Sequence, residues 1–83
     1  MNTETVIERF IVDELLMEGA GVTINCDQSL ISSGILDSLA LLRLIAFLED
    51  QFNITVDDGE VIPDNFQTIN DIQAFVEHKT KVD

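Results

Sequence analysis

The sequence is poor in several residue types, and each shortage excludes a class of protein. Its 83 residues include one cysteine, Cys26, so the chain can form neither an internal disulfide nor a zinc cluster. Trp and Tyr are absent and five Phe are the only aromatic residues, which indicates a mainly aliphatic core. The chain has only four basic residues and 16 acidic ones. Nucleic acid and anionic membranes are therefore disfavoured as partners, because their phosphates would be repelled.

Long apolar runs and targeting signals are also lacking. No run reaches the ~18 apolar residues of a membrane span. The N-terminus, MNTETVIERF, has neither the basic region nor the apolar stretch of a signal peptide. We therefore expect a monomeric cytoplasmic protein that does not insert into membranes.

The remaining composition is that of a small globular domain. Hydrophobic residues make up 46% of the chain, and no repeat or change in composition divides it, so residues 1–83 are expected to form one domain. The net charge of −12 would steer the protein towards basic patches on other proteins. The alternative is that the charge serves solubility alone.

Apolar spacing predicts an all-α fold. A first amphipathic helix is expected from roughly Thr3 to Met17, with apolar residues at helical spacing: Val6, Ile7, Phe10, Ile11, Leu15 and Leu16. A long loop follows from Val22 to Asp37. A second helix begins at Asp37 or Ser38 and ends near Phe52, with Asp37 as a suitable N-cap. Pro63 opens or precedes one short helical turn, and a last helix follows Thr68. The prediction is a small four-helix bundle with three main helices and one short one.

The second helix carries more apolar residues than one core face needs. Its core-facing line is Leu41, Leu44, Ile45, Leu48 and Phe52. A second line, which we call the outer line, consists of Leu39, Leu42 and Ala46 and lies on the side of Ser38. Glu49 and Asp50 follow one turn further on. The outer line predicts a docking surface, and the alternative is a central helix that is buried nearly all round.

Catalysis by this chain is not expected. Ser38 lies in Leu-Asp-Ser-Leu rather than in the Gly-x-Ser-x-Gly elbow of hydrolases. The one histidine, His78, lies far away in the last helix, and a small bundle has no cavity for a triad. The segment DDGE lacks the spaced ligands of a calcium loop. No catalytic residue and no metal site is predicted.

The segment SGILDSLALLRLIAFLEDQF, preceded by a helix and a long loop, resembles the acyl carrier protein family, which includes peptidyl and aminoacyl carrier proteins. The signature of that family is Asp-Ser-Leu at the start of the second helix, here Asp37, Ser38 and Leu39. The resemblance spans nearly the whole chain.

The resemblance implies that Ser38 is modified rather than catalytic. A phosphopantetheinyl transferase would attach a 4′-phosphopantetheine arm to Ser38 from coenzyme A, and the thiol of the arm would carry an acyl or aminoacyl thioester. The implied partner-binding residues are Leu39, Leu42, Arg43, Ala46, Glu49 and Asp50. Further partners would be an adenylating ligase and downstream enzymes such as a dehydrogenase, a condensing enzyme or a thioesterase.

One position separates the chain from carriers of the fatty-acid type. Those commonly have an acid two residues after the serine, where this chain has Ala40. The resemblance is greater to free-standing amino-acid carriers, such as D-alanyl or prolyl carrier proteins of wall modification and of natural-product (nonribosomal peptide or polyketide) pathways. Two alternatives stay open, namely a fatty-acid-type carrier and an unmodified acidic interaction module.

Overall fold

The computed structural model describes residues 3–16 and 24–81, and the regular structure in this part of the chain is helical. Helix α1 is Thr3–Phe10 and continues directly as a π-helical segment, Ile11–Leu16. Helix α2 is Ser38–Phe52, α3 is Pro63–Phe66 and α4 is Ile69–Lys81, with a 3₁₀ turn at Asp58–Glu60. Within the described residues, no helix is long and apolar enough to cross a membrane. The expected all-α bundle of three main helices and one short helix is confirmed.

The first helix differs from the sequence prediction in its second half. A uniform period of 3.6 residues predicted the buried face, but the helix changes at Ile11 to π geometry, in which hydrogen bonds join residues five apart. Val12, five residues after the buried Ile7, is therefore also buried, and the periodic pattern missed it. The side chain of Leu16, and Met17 at the predicted end, lie outside the described residues.

A single aliphatic core joins the helices to the loop between α1 and α2. α4 contributes an apolar stripe of Ile69, Ile72, Phe75 and Val76, and Phe66 of α3 packs beside Phe75 with ring centroids 5.4 Å apart. The buried core residues are Ile7, Ile11, Val12, Ile24, Leu30, Leu36, Leu44, Ile45, Leu48, Phe66, Ile69, Ile72, Phe75 and Val76. Leu41 and Phe52, predicted for the core line of α2, are partly buried at its edge.

The described part of the long loop, residues 24–37, packs onto the core and is tied to the segment at the start of α4. Ile24, Leu30 and Leu36 are buried in the core, and Ile35 packs against it. Backbone hydrogen bonds tie the loop to the start of α4: Leu30 N–H donates to the Gln67 carbonyl at 2.7 Å, and Asn70 N–H donates to the Cys26 carbonyl at 3.0 Å. The loop therefore delivers the chain to the start of α2 from a fixed direction.

The helix starts predicted near Pro63 and Thr68 are confirmed. Pro63 is the first residue of α3, where its missing N–H costs no helical hydrogen bond. Thr68 Oγ1 accepts a hydrogen bond from Asp71 N–H at 3.0 Å, which satisfies one of the free amides in the first turn of α4.

Candidate functional site

Ser38 is the first residue of α2, and its side chain is exposed. The preceding Asp37 caps the helix: its Oδ1 accepts from Ala40 N–H at 2.8 Å, as the sequence predicted. The Ser38 hydroxyl has no hydrogen-bond partner among residues 3–16 and 24–81. A free hydroxyl therefore lies at a helix N-terminus, where backbone N–H groups and the helix dipole favour negative charge.

The approach to Ser38 depends on a tight turn of the loop. Gly34 N–H donates a hydrogen bond to the Ile31 carbonyl at 3.1 Å, and Leu36 N–H donates one to the Leu30 carbonyl at 2.9 Å. Gly34 has φ +87°, in the left-handed region that L-residues rarely adopt. This turn buries Leu36 and leaves Asp37 and Ser38 outside the core.

The outer line of α2 is exposed to solvent. Leu39 is 69% exposed and Leu42 is 62% exposed, and Ala46 and Arg43 are also exposed. The alternative of an α2 buried all round is therefore wrong. Two large apolar side chains beside Ser38 have no cover in the fold, which gives this face the composition of a docking surface.

The two acids beyond the outer line differ in their surroundings. Asp50 is exposed, whereas Glu49 is half-buried, and Glu49 Oε2 accepts from Val56 N–H at 2.9 Å. Glu49 thus binds the segment that follows α2, and this role is separate from any contact with a partner protein. From the sequence, both acids were expected to have the same role. No sequence pattern around Val56 indicates its contact with Glu49.

A further acid is bound within the fold, on the 3₁₀ turn. Glu60 Oε1 accepts from Asp57 N–H at 3.0 Å and lies 2.9 Å from Lys79 Nζ of α4. The Asp57 amide and the Lys79 ammonium hold the pKa of Glu60 below its ordinary value. Lys79 therefore ties the end of α4 to the turn that precedes α3.

Ile62 is an exposed apolar residue that the sequence analysis did not single out. It precedes Pro63 and is 43% exposed. In the sequence, Ile62 directly precedes Pro63 and belongs to no helical period that would assign it to the core. This position was the signal that could have identified it as exposed.

Cys26 is the one thiol of the chain and is half-buried. A hydrogen bond with the Glu4 carboxylate, together with burial and the nearby acids, raises the pKa of Cys26. A thiol that stays protonated is a poor nucleophile.

The protein-family model described as the phosphopantetheine attachment site matches residues 9–76. The chain belongs to this family of carrier proteins. The match contains Asp37, Ser38 and Leu39 and the whole of α2, and it confirms the resemblance inferred from the sequence.

Named relatives point to the same family. The D-alanyl carrier protein of Streptococcus pyogenes serotype M5 (strain Manfredo) is 43% identical over 74 residues, which is 89% of this chain and 89% of the relative. The same protein from Streptococcus pyogenes serotype M1 shows the same identity and coverage.

Solved structures share the fold. The structure of KstB-PCP in its apo form has a TM-score of 0.80 and 41% sequence identity, and the match covers 96% of this chain and 88% of that one. A chain in the crystal structure of an FAD-dependent dehydrogenase has a TM-score of 0.76 and 27% identity, with 84% of this chain and 97% of that chain covered.

Family membership fixes the cofactor and the general mode of action. The carrier uses 4′-phosphopantetheine and works through enzymes that bind it. The exposed hydroxyl at the start of α2 meets the requirements of such an attachment, since it is accessible, is not consumed by a hydrogen bond within the described residues, and lies where a phosphate is favoured.

Proposed function

We propose that Ser38 is the attachment site and that the carrier holds an aminoacyl group for a series of partner enzymes. The observation that supports this most directly is the exposed hydroxyl of Ser38 at the N-terminus of α2, within Asp-Ser-Leu. Oγ would attack the phosphorus of coenzyme A that carries the pantetheine, lose its proton and displace adenosine 3′,5′-bisphosphate, leaving a phosphodiester. Once attached, the group supplies a flexible arm whose thiol forms thioesters.

The surroundings of Ser38 suit a phosphodiester. The carboxylate of Asp37 bonds to Ala40 N–H, and the amides of Ser38 and Leu39 make no hydrogen bond among the described residues. These first-turn amides are available to face a phosphate, as at other helix N-termini that bind anions. The negative charge gained would also be favoured by the helix dipole.

The outer line would be the surface on which successive enzymes dock. Leu39, Leu42 and Ala46 provide the apolar contact, and Arg43, Glu49 and Asp50 lie around it. The phosphopantetheinyl transferase and an adenylating ligase would bind here first, followed by downstream enzymes such as a dehydrogenase, a condensing enzyme or a thioesterase. A small patch with solvent-exposed charges binds weakly enough to release each partner.

The expected cargo is an amino acid. Support comes from Ala40, where fatty-acid carriers commonly have an acid, and from relatives named as D-alanyl carrier protein and as KstB-PCP in kosinostatin biosynthesis. The pathway would be D-alanylation or the biosynthesis of a natural product. A fatty-acyl cargo is the alternative.

The chain itself would catalyse nothing. No histidine is hydrogen-bonded to Ser38 within residues 3–16 and 24–81, and His78 is an exposed residue of α4. We further propose that residues 1–83 act as one monomeric carrier domain in the cytoplasm, where coenzyme A and ATP serve its loading enzymes.

The attachment site is tested by intact-protein mass spectrometry. After incubation with coenzyme A, magnesium and a broad-specificity transferase, the wild type should gain one phosphopantetheine, and Ser38→Ala should gain none. Ser32→Ala is the matched control, because Ser32 is an exposed serine of the preceding loop, and it should be modified like the wild type. An unmodified wild type beside a modified control carrier would refute the assignment and favour an unmodified interaction module.

The cargo is tested on the pantetheinylated carrier. An adenylating ligase for D-alanine, with ATP, should add one alanyl group to the wild type and none to Ser38→Ala. Analysis of the carrier purified from its own host would show the natural cargo directly. A fatty-acyl group found there would overturn the aminoacyl assignment while leaving Ser38 as the attachment site.

A further inference from the structure

A cleft of about 400 Å³ lies between the first helix and α2, away from Ser38. Its wall on the first helix is a stripe at positions i, i+3, i+4, i+7 and i+8. The residues that line the cleft are Val6, Arg9, Phe10, Asp13, Glu14, Phe47 and Gln51. None of these residues has a role in the attachment of the arm as proposed above.

Val6 and two phenylalanines form the apolar part of this cleft. The rings of Phe10 and Phe47 are stacked, with centroids 4.1 Å apart and an interplanar angle of 17°. Both residues are only partly buried, whereas Phe66 and Phe75 lie in the core. Partly covered aromatic rings in a concave surface are typical of the residues that dominate protein–protein binding.

Charge specifies the kind of partner. Asp13 and Glu14 at the cleft are exposed, and neither takes part in an ion pair among the described residues. Arg9 also lines the cleft, so the lining has two acids and one base, within a chain whose net charge is −12. A partner that inserts an apolar side chain against the Phe10–Phe47 pair is therefore favoured if it also presents lysine or arginine.

The cleft and the outer line lie on different sides of α2. At 100° per residue, Phe47 is about 180° around the helix from Ser38 and about 140° from Leu42. Leu39 is about 80° and Ala46 about 100° from Phe47, so a protein that occupies the cleft leaves the hydroxyl of Ser38 and the side chain of Leu42 uncovered.

We propose that this cleft is a second docking surface, which binds a basic amphipathic helix of a partner protein while another enzyme works at Ser38. The helix places an apolar side chain on the Phe10–Phe47 pair and its basic residues towards Asp13 and Glu14. This surface does not depend on the modification of Ser38, so its test is separate from that of the carrier function.

The probe is a synthetic amphipathic helical peptide of leucine and lysine, titrated into the ¹⁵N-labelled carrier. A scrambled peptide of the same composition measures attraction by charge alone. The backbone signals of the cleft, around Phe10, Asp13 and Phe47, should shift with the amphipathic peptide more than those around Leu39 and Leu42. The scrambled peptide should bind at least about fivefold more weakly, because it cannot fill the cleft with apolar side chains.

Variants separate the cleft from the overall negative charge. Gln51→Lys adds a positive charge beside the cleft and should weaken peptide binding about fivefold. Gln28→Lys makes the same chemical change at an exposed loop residue and should have a much smaller effect. Phe47→Leu keeps an apolar side chain but removes the stacked ring, and should also weaken binding.

Three results would overturn the proposal. The first is equal weakening by Gln51→Lys and Gln28→Lys, which would reduce binding to general charge attraction. The second is a set of backbone signal shifts concentrated at the outer line, which would mean that the peptide binds there and not in the cleft. The third is equal affinity for the amphipathic and scrambled peptides. Circular dichroism spectra show whether each variant keeps the wild-type helix content.

Discussion

Leu42 and Leu48 are the same residue type on the same helix, yet they belong to different faces of α2. Leu48 is fully buried and Leu42 is 62% exposed. Leu48 packs in the core that α2 shares with the first helix and α4, whereas none of the described elements covers Leu42. One face of α2 therefore holds the bundle together, and the other remains available to partner proteins.

The acids of the molecule show the same division. Asp37, Glu49 and Glu60 each accept a hydrogen bond from a backbone amide, while Asp50 is exposed and has no such contact among the described residues. Residue type alone therefore does not tell whether a side chain stabilises the fold or faces a partner. Neighbouring elements decide it.

The largest effect is expected from truncation of leucine on the two faces. Leu48→Ala should lower the free energy of unfolding by about 2–5 kcal/mol, because it removes buried methyl groups and leaves a cavity. Leu42→Ala should change it by less than about 0.5 kcal/mol, as is usual at exposed positions. Urea denaturation followed by circular dichroism measures both, and similar losses would contradict the division of faces.

A charge placed on the exposed face should impair docking and spare the fold. Leu42→Glu should slow loading by the cognate ligase about tenfold, which corresponds to about 1.4 kcal/mol of lost contact. Ala74→Glu adds the same charge at an exposed position of α4, and its loading rate should stay near that of the wild type. Unchanged kinetics of Leu42→Glu with every partner enzyme would remove the outer line from the account.

Asp37, the N-cap of α2, and Asp50, within α2, provide a matched comparison with a smaller expected effect. Asp37→Ala should cost about 1 kcal/mol of stability, because Ala40 N–H loses its N-cap acceptor. Asp50→Ala should cost little, since its carboxylate caps no amide in the described residues. Urea denaturation midpoints of the two variants check this, and equal midpoints would show that the cap does not contribute.

The smallest effect concerns pH. Because the pKa of Glu60 is lowered by the Asp57 amide and Lys79, its contribution to stability is fully present above the ordinary glutamate pKa of about 4.3. The contribution is lost as the pH falls through the lowered pKa of the folded state. Wild type should therefore exceed Glu60→Gln in stability at neutral pH and lose this advantage in acid.

A matched replacement tests whether that pH dependence belongs to Glu60. Glu14→Gln changes an exposed acid with no ion pair in the described residues, so the difference from wild type should vary little over the same acid range. Melting temperatures of the three proteins at several pH values measure this. An advantage of wild type over Glu60→Gln that persists in acid would contradict the assignment.

The sequence predicted the helices best where the apolar period was regular and the caps were strong. Asp37, Pro63 and Thr68 fix helix starts through local hydrogen bonds or a fixed φ, so the residues themselves suffice. Val12 was missed, because the change to π geometry at Ile11 alters the period that the pattern assumes. The contact of Glu49 with Val56 spans the end of α2, and that of Glu60 with Lys79 joins two separate elements; neither leaves a periodic signal.

The candidate site divides in the same way. Ser38 and the outer line could be found from the Asp-Ser-Leu signature and from a helical wheel, because both depend on neighbouring positions in one helix. The stacked pair of Phe10 and Phe47 could not, because it joins two helices that a long loop separates. Roles of these residues in binding remain predictions for the experiments above.

The acidic charge, the helical periods, the caps and the position of the Ser38 motif follow from composition and from residues within a few positions of one another. Tertiary structure decided which leucines of α2 are covered, which acids are bound by the fold, and where a cleft opens beside the first helix. The reason is physical: burial and pairing depend on packing between segments that are distant in sequence.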